Sequence, residues 1–165
     1  IAVPGRTTPL RAFVVYPEIA TKAPVVIVMH ETYGLTDWVR GVTDQLAADG
    51  FIAIAPDLLT GKAPNGGDTT KFASRDAAVK ASATLTGGEI GAALAAIRAY
   101  GTKLPAATGQ TVTLTFPETP PFDSGPVAGP VAGIVRQPTG QAAANQPAAL
   151  QGWPATVSSL RQQVK

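Results

Sequence analysis

Hydrophobic residues in this chain fall into short unbroken runs separated by amphipathic stretches. Residues 25–29 (VVIVM) form a continuous β-branched run opened by Pro24, and residues 51–55 (FIAIA) form a second, stopped by Pro56. Continuous rather than alternating hydrophobicity marks strands buried on both faces, as in a parallel sheet. Between the two runs, Val39, Val42, Leu46 and Ala47 recur at helical spacing. The spacing predicts a helix over 38–49, with Asp37 as N-cap and Gly50 as the glycine that ends it. Strand, helix and strand within about thirty residues predict a βαβ unit with a right-handed crossover.

The pattern continues on both sides of this unit. Residues 11–16 (RAFVVY) read as a strand ended by Pro17, and 111–116 (TVTLTF) as another. Residues 62–70 are a Gly/Pro/Asn/Asp loop. Residues 76–83 and 88–100 are helical in pattern, the second with Ile90, Leu94 and Ile97 on one side. From Pro117 to Pro147 the chain is rich in proline and glycine and no period is sustained. Residues 148–165 recover a helical pattern, with Leu150, Trp153, Val157 and Leu160 on one face and Pro154 expected in the first turn. The expected architecture is a single α/β domain over 1–165, a mostly parallel sheet flanked by helices. It is expected to be truncated, because two or three further strand–helix pairs would normally follow Pro117.

Composition narrows the class. With 165 residues, 45% hydrophobic and 15% charged, the chain can bury a core without covalent staples. A net charge of +2, with no basic stripe interleaved with aromatics, gives no reason to expect nucleic acid as a partner. The run at 23–29 is too short to span a bilayer, so no membrane partner is expected. The absence of cysteine excludes disulfides, thiolate metal sites and a cysteine nucleophile in this chain.

Residues 25–67, VVIVMHETYGLTDWVRGVTDQLAADGFIAIAPDLLTGKAPNGG, are specific enough to name a resemblance. The strand followed by HE-x-x-G-L, the Asp-Trp helix start, the GF-x-AIAPDL strand and the GK-x-PNGG loop together resemble the dienelactone hydrolase family, within the α/β-hydrolase superfamily. The flanks RAFVVYPE, FASRDAAVKA and RAYGTKLPAATGQ are similar to it as well, which takes the likeness to residues 6–111. A weaker match begins at Gly133 and runs through the C-terminal helix. The resemblance implies an α/β-hydrolase-like fold and a carboxylic ester or lactone as small-molecule substrate. It also implies catalysis without a cofactor, by a Cys–His–acid triad, and a periplasmic or secreted location.

The triad itself does not carry over. The family places G-x-C-x-G on a sharp strand-to-helix turn after the strand matched by 111–116. This chain reads TFPETPP there, and Pro117, at the cysteine position, has no nucleophilic atom. Ala132 stands where the family histidine is expected. The loop bearing the acid has no counterpart. By resemblance, Thr32 supplies a backbone oxyanion donor and Glu31 is the carboxylate near the nucleophile, with His30 beside them. The alternative is that His30 bonds only to backbone and Glu31 caps its loop. Arg136, and more weakly Arg75, match positions that hold a substrate carboxylate, a task suited to the forked guanidinium; the alternative is two solvated arginines. Ser124, in FDSGP, lacks a G-x-S-x-G frame. Asp57, in APDLL, reads as a loop-organising carboxylate, and Trp38 and Trp153 read as core aromatics. With one histidine and HE-x-x-G rather than HE-x-x-H, no metal site is expected. Two functions follow: a hydrolase of this family, or a catalytically inactive relative with a binding or structural role. A sheet with a missing half would also expose edge and core, which predicts self-association.

Overall fold

In the computed structural model, which describes residues 1–114 and 142–164, the predicted βαβ unit is built as expected. Strand β2 (Ala23–Val28) leads through helix α1 (Asp37–Ala48) into strand β3 (Ile52–Asp57). The two strands pair in parallel, Val25 opposite Ile52 and Ile27 opposite Ile54. Strand β1 (Arg11–Val15) runs antiparallel along the other side of β3. After helices α2 (Arg75–Ser82) and α3 (Gly87–Gly101), strand β4 (Ala107–Leu114) pairs in parallel with the free side of β2. The spatial order is β1-β3-β2-β4.

Alternation along β2 and β3 sends their side chains to opposite faces of the sheet. Val26, Val28, Ala53 and Ala55 meet Val39, Val42 and Leu46 of α1 on one face. Val25, Ile27, Ile52 and Ile54 meet Ala93 and Ile97 of α3 on the other. Both faces are covered, which is why these runs show no alternation of hydrophobic and polar residues. Helix α4 (Ala142–Gln163) closes the α1 face, adding Val157 and Leu160 to that core. Each such aliphatic side chain taken out of water contributes about 1.5–3 kcal/mol. Trp153 and Trp38 pack at the margin of the same core, partly buried. The Trp153 indole N–H donates to Asp49 Oδ2 at 2.6 Å, and Arg161 donates to the Asp49 carbonyl at 3.0 Å. These bonds pin α4 to the end of α1.

Local chemistry moves several boundaries. The N-cap of α1 is Thr36, not Asp37: Thr36 is extended and its hydroxyl accepts the Val39 N–H, which places Asp37 inside the first turn. Gly50 does end the helix, at φ +91°. Its N–H bonds to the Ala47 carbonyl and the Phe51 N–H to that of Leu46, the paired bonds that close a helix on a left-handed residue. Pro56 does not stop β3. The parallel ladder to β2 ends at Ile54, so at Pro56, opposite Ala12, the strand is paired only with β1 and the missing N–H is tolerated. Strand β4 starts at Ala107, ahead of its apolar run, and the exposed Thr108, Gly109 and Gln110 that follow give its start no hydrophobic signal. The loop at 62–70 contains tight turns at Pro64–Gly66 and Thr69–Lys71. Helix α4 begins at Ala142, so Pro154 lies in its interior rather than its first turn.

Candidate functional site

The connection out of β2 goes to β3 on one side, and the connection out of β3 crosses to β4 on the other. Strand order therefore reverses at the C-terminal end of β2. In open α/β sheets this reversal opens a crevice between diverging loops, where ligands bind. The residues that leave β2 at this point are Met29, His30, Glu31 and Thr32.

The chain folds back immediately. The Gly34 N–H donates to the Glu31 carbonyl at 3.0 Å, closing a turn whose central residues are Thr32 and Tyr33. Central N–H groups of such a turn point outward, and among the described residues the Thr32 N–H donates to no acceptor. Glu31 and Thr32 are both half-buried. The Tyr33 ring carries the guanidinium of Arg75 over its face, 5.3 Å from the centroid. Arg75 is the first residue of α2, positioned by Ser74, whose hydroxyl caps the helix by accepting the Ala77 N–H at 3.2 Å. Two candidate positions far apart in sequence, Thr32 and Arg75, thus lie at one turn.

His30 is held by backbone on both ring nitrogens. Nε2 accepts the Leu58 N–H at 3.0 Å, which leaves the ring proton on Nδ1 to donate to the Glu31 carbonyl at 2.7 Å. Burial disfavours the imidazolium and holds the His30 pKa below its ordinary value, with the Glu31 carbonyl and the Asp57 charge opposing more weakly. His30 thus bridges the ends of β2 and β3 through backbone bonds on both ring nitrogens.

Asp57 organises the facing loop. It is only 2% exposed, and its carboxylate accepts the Leu59 N–H at 3.0 Å, the Thr69 N–H at 2.8 Å and the Thr69 hydroxyl at 2.7 Å. A buried carboxylate requires this degree of satisfaction. Asp68 caps the next turn through Thr70 and pairs with Arg11. The Thr70 hydroxyl, ahead of the Arg11 charge, holds the Asp68 pKa below the usual carboxylate value. Thr69 itself reaches the loop after β2, accepting the Leu35 N–H at 3.1 Å. Neither Thr69 nor Tyr33 stands out in the sequence. Thr69 sits in a patternless DTT stretch, and its role depends on the β3 loop folding back onto the β2 loop.

Pro117, Ser124, Ala132 and Arg136 lie outside the described residues. Among the described residues no group of three His, Asp or Glu side chains is placed to hold a metal ion, and no helix is long and apolar enough to cross a membrane.

Comparison with known proteins gives a consistent result. The model of the dienelactone hydrolase family matches residues 10–115. A Synechocystis protein assigned as a carboxymethylenebutenolidase is 31% identical over 64 residues, 39% of this chain and 26% of that protein. One of the same assignment from Saccharolobus solfataricus is 43% identical over 51 residues, 31% of this chain and 19% of that protein. A crystal structure assigned as a dienelactone hydrolase, from Klebsiella pneumoniae, superposes with a TM-score of 0.56 at 20% identity, covering 69% of this chain and 47% of that one. The α/β-hydrolase-like fold expected from the sequence is therefore the fold observed. The matched part spans under half the length of each of these relatives.

Proposed function

This chain belongs to the dienelactone hydrolase family, and on that premise we propose that the turn at Glu31–Gly34 is the oxyanion side of a site for a carboxylic ester or lactone. The observation that carries the reading is the Thr32 N–H, half-buried at the strand-order reversal with no acceptor among the described residues. Attack on a substrate carbonyl moves the C=O electron pair onto oxygen. A fixed N–H aimed at that oxygen stabilises the charge more in the transition state than in the ground state, which is how a donor accelerates the step. Glu31 lies against the reacting centre. Arg75, held over Tyr33, receives a carboxylate elsewhere on the substrate through parallel N–H···O bonds. Arg136 joins it in that task.

A second reading has its own support. The family reaction uses a thiolate and an imidazole base, and this chain has no cysteine and a single histidine. That histidine has both ring nitrogens engaged with backbone. In this reading the turn binds the ester or its product acid without turning it over.

Turnover of p-nitrophenyl acetate by the purified chain, compared with Thr32→Pro, separates the two. Proline removes the N–H and is accepted at the first central position of a turn. The hydrolase reading expects turnover to fall about 10²–10³-fold in the variant at unchanged Tm. Wild-type turnover no faster than buffer would overturn it in favour of binding. Hydrolysis abolished by a thiol reagent would trace to another protein, because this chain has no thiol.

A further inference from the structure

The oxyanion turn is pinned at both ends. On its N-terminal side the Leu58 N–H holds His30 Nε2 at 3.0 Å. On its C-terminal side the Leu35 N–H donates to Thr69 Oγ1 at 3.1 Å, and the Thr69 hydroxyl donates onward to Asp57 Oδ1 at 2.7 Å. The direction of this relay is fixed. The Leu35 N–H can only donate, so the lone pairs of Thr69 must face Leu35 and its proton is left to point at Asp57. The Thr69 side chain also lies flush against the backbone of Gly34: a methyl group at Gly34 would meet Thr69 Oγ1 at 2.2 Å. The two residues that follow the turn centre, Gly34 and Leu35, are thus set by one hydroxyl that an otherwise structural aspartate orients.

We propose that Thr69 is a positioning residue for the Thr32 donor, and that the Asp57 carboxylate acts at the site by orienting the Thr69 hydroxyl. The inference rests on the oxyanion reading given above. An oxyanion donor is useful only where it is preorganised, because reorienting a loose turn during the reaction consumes the stabilisation it would give. The shape of Thr69 alone cannot supply that order. Valine would fill the same volume yet leave the Leu35 N–H, buried beside Gly34, with no acceptor.

The test uses the full chain with Thr69→Val and Thr69→Ser, read by p-nitrophenyl acetate kinetics and by amide hydrogen exchange. Thr69→Val is expected to lower kcat about tenfold or more with KM within about twofold, since only a transition-state interaction is loosened. The Leu35 amide is expected to exchange at least about tenfold faster while Ile54, inside β3, keeps its protection. Thr69→Ser keeps the hydroxyl and restores both readouts. Wild-type kcat and Leu35 protection in Thr69→Val would overturn the proposal, as would equal impairment of the two variants. If Thr69→Val does not fold, Thr69→Ser decides: wild-type kcat and protection support the proposal, and their loss overturns it. The two readings fail separately. Turnover that drops in Thr32→Pro but not in Thr69→Val leaves the oxyanion site standing and removes Thr69 from it. Absence of wild-type turnover removes the hydrolase reading, and Leu35 exchange then decides whether Thr69 orders the turn.

Discussion

Replacing Gly34 with alanine tests the contact between the two loops most directly. Gly34 has φ +80°, a left-handed conformation that costs an L-residue about 1–2 kcal/mol. The added Cβ would lie 2.2 Å from Thr69 Oγ1 and 2.9 Å from both Thr69 Cγ2 and Leu59 Cδ1. Thr69 cannot swing aside without breaking its bonds to Asp57 and Leu35, so the overlap adds an overpacking cost of about 1–3 kcal/mol. Gly34→Ala should therefore destabilise by about 2–5 kcal/mol. Gly50 supplies the control. It has φ +91° and nothing within 4 Å of its would-be Cβ, so Gly50→Ala carries only the backbone cost. Thr69→Ala alone orphans the Leu35 N–H and removes the hydroxyl donor from Asp57, while the backbone N–H at 69 still donates to that carboxylate, at about 1–3 kcal/mol. In the double variant the Thr69 atoms that clash are gone, leaving only the flexible end of Leu59. The two changes should then be less than additive by about 1 kcal/mol or more. Urea unfolding followed by circular dichroism gives all four stabilities. A Gly34→Ala cost equal to that of Gly50→Ala, or an additive cycle, would refute the contact on which the positioning argument depends.

Other parts of the molecule are open to comparable tests. The His30 pKa is depressed by burial, so as pH falls the unfolded chain takes up the proton first. Its contribution is full above 6.5 and is lost as pH falls from there towards the folded value. Between about pH 7.5 and 5.5 the Tm of the wild type should fall more than that of His30→Gln, and parallel curves would count against the buried neutral ring. The N-terminus of α3 carries a reciprocal cap, with Thr86 accepting the Glu89 N–H at 3.2 Å and the Glu89 carboxylate accepting the Thr86 N–H at 2.8 Å. Thr86→Ala should cost about 1 kcal/mol. The Glu89 carboxylate is held at about 2 from 4.5, mainly by the Thr86 N–H with Lys62 adding to it. Its contribution is present above 4.5 and disappears as pH falls towards 2, so the Tm deficit of Glu89→Ala should shrink over that range. Trp153→Phe keeps the packing and removes the indole donor to Asp49, and should lower the unfolding free energy by about 1 kcal/mol. No change in denaturant midpoint would show that the Trp153–Asp49 bond adds nothing to the hold on α4.

The layered core is legible in the hydrophobic runs of the chain. A run such as VVIVM has no polar position to offer solvent, and its length and β-branched residues mark it as a strand covered on both sides, against which the stripe of Val39, Val42 and Leu46 is buried. The sequence also located the loop after β2, because HE-x-x-G-L stands where a buried strand must end. These features are local: each depends on a residue and its near neighbours. Tertiary structure alone decided which loops meet. Strand β4 pairs with the free side of β2, which reverses the strand order at His30, and nothing in the residues of β4 announces that choice. It bridged His30 to Leu58, brought Arg75 to the Tyr33 ring, and made Thr69, in the loop at 62–70, the acceptor for Leu35. A hydrogen bond between residues 34 positions apart leaves no period in the chain. It arises only when two strands lie side by side and their loops must satisfy each other's buried polar groups.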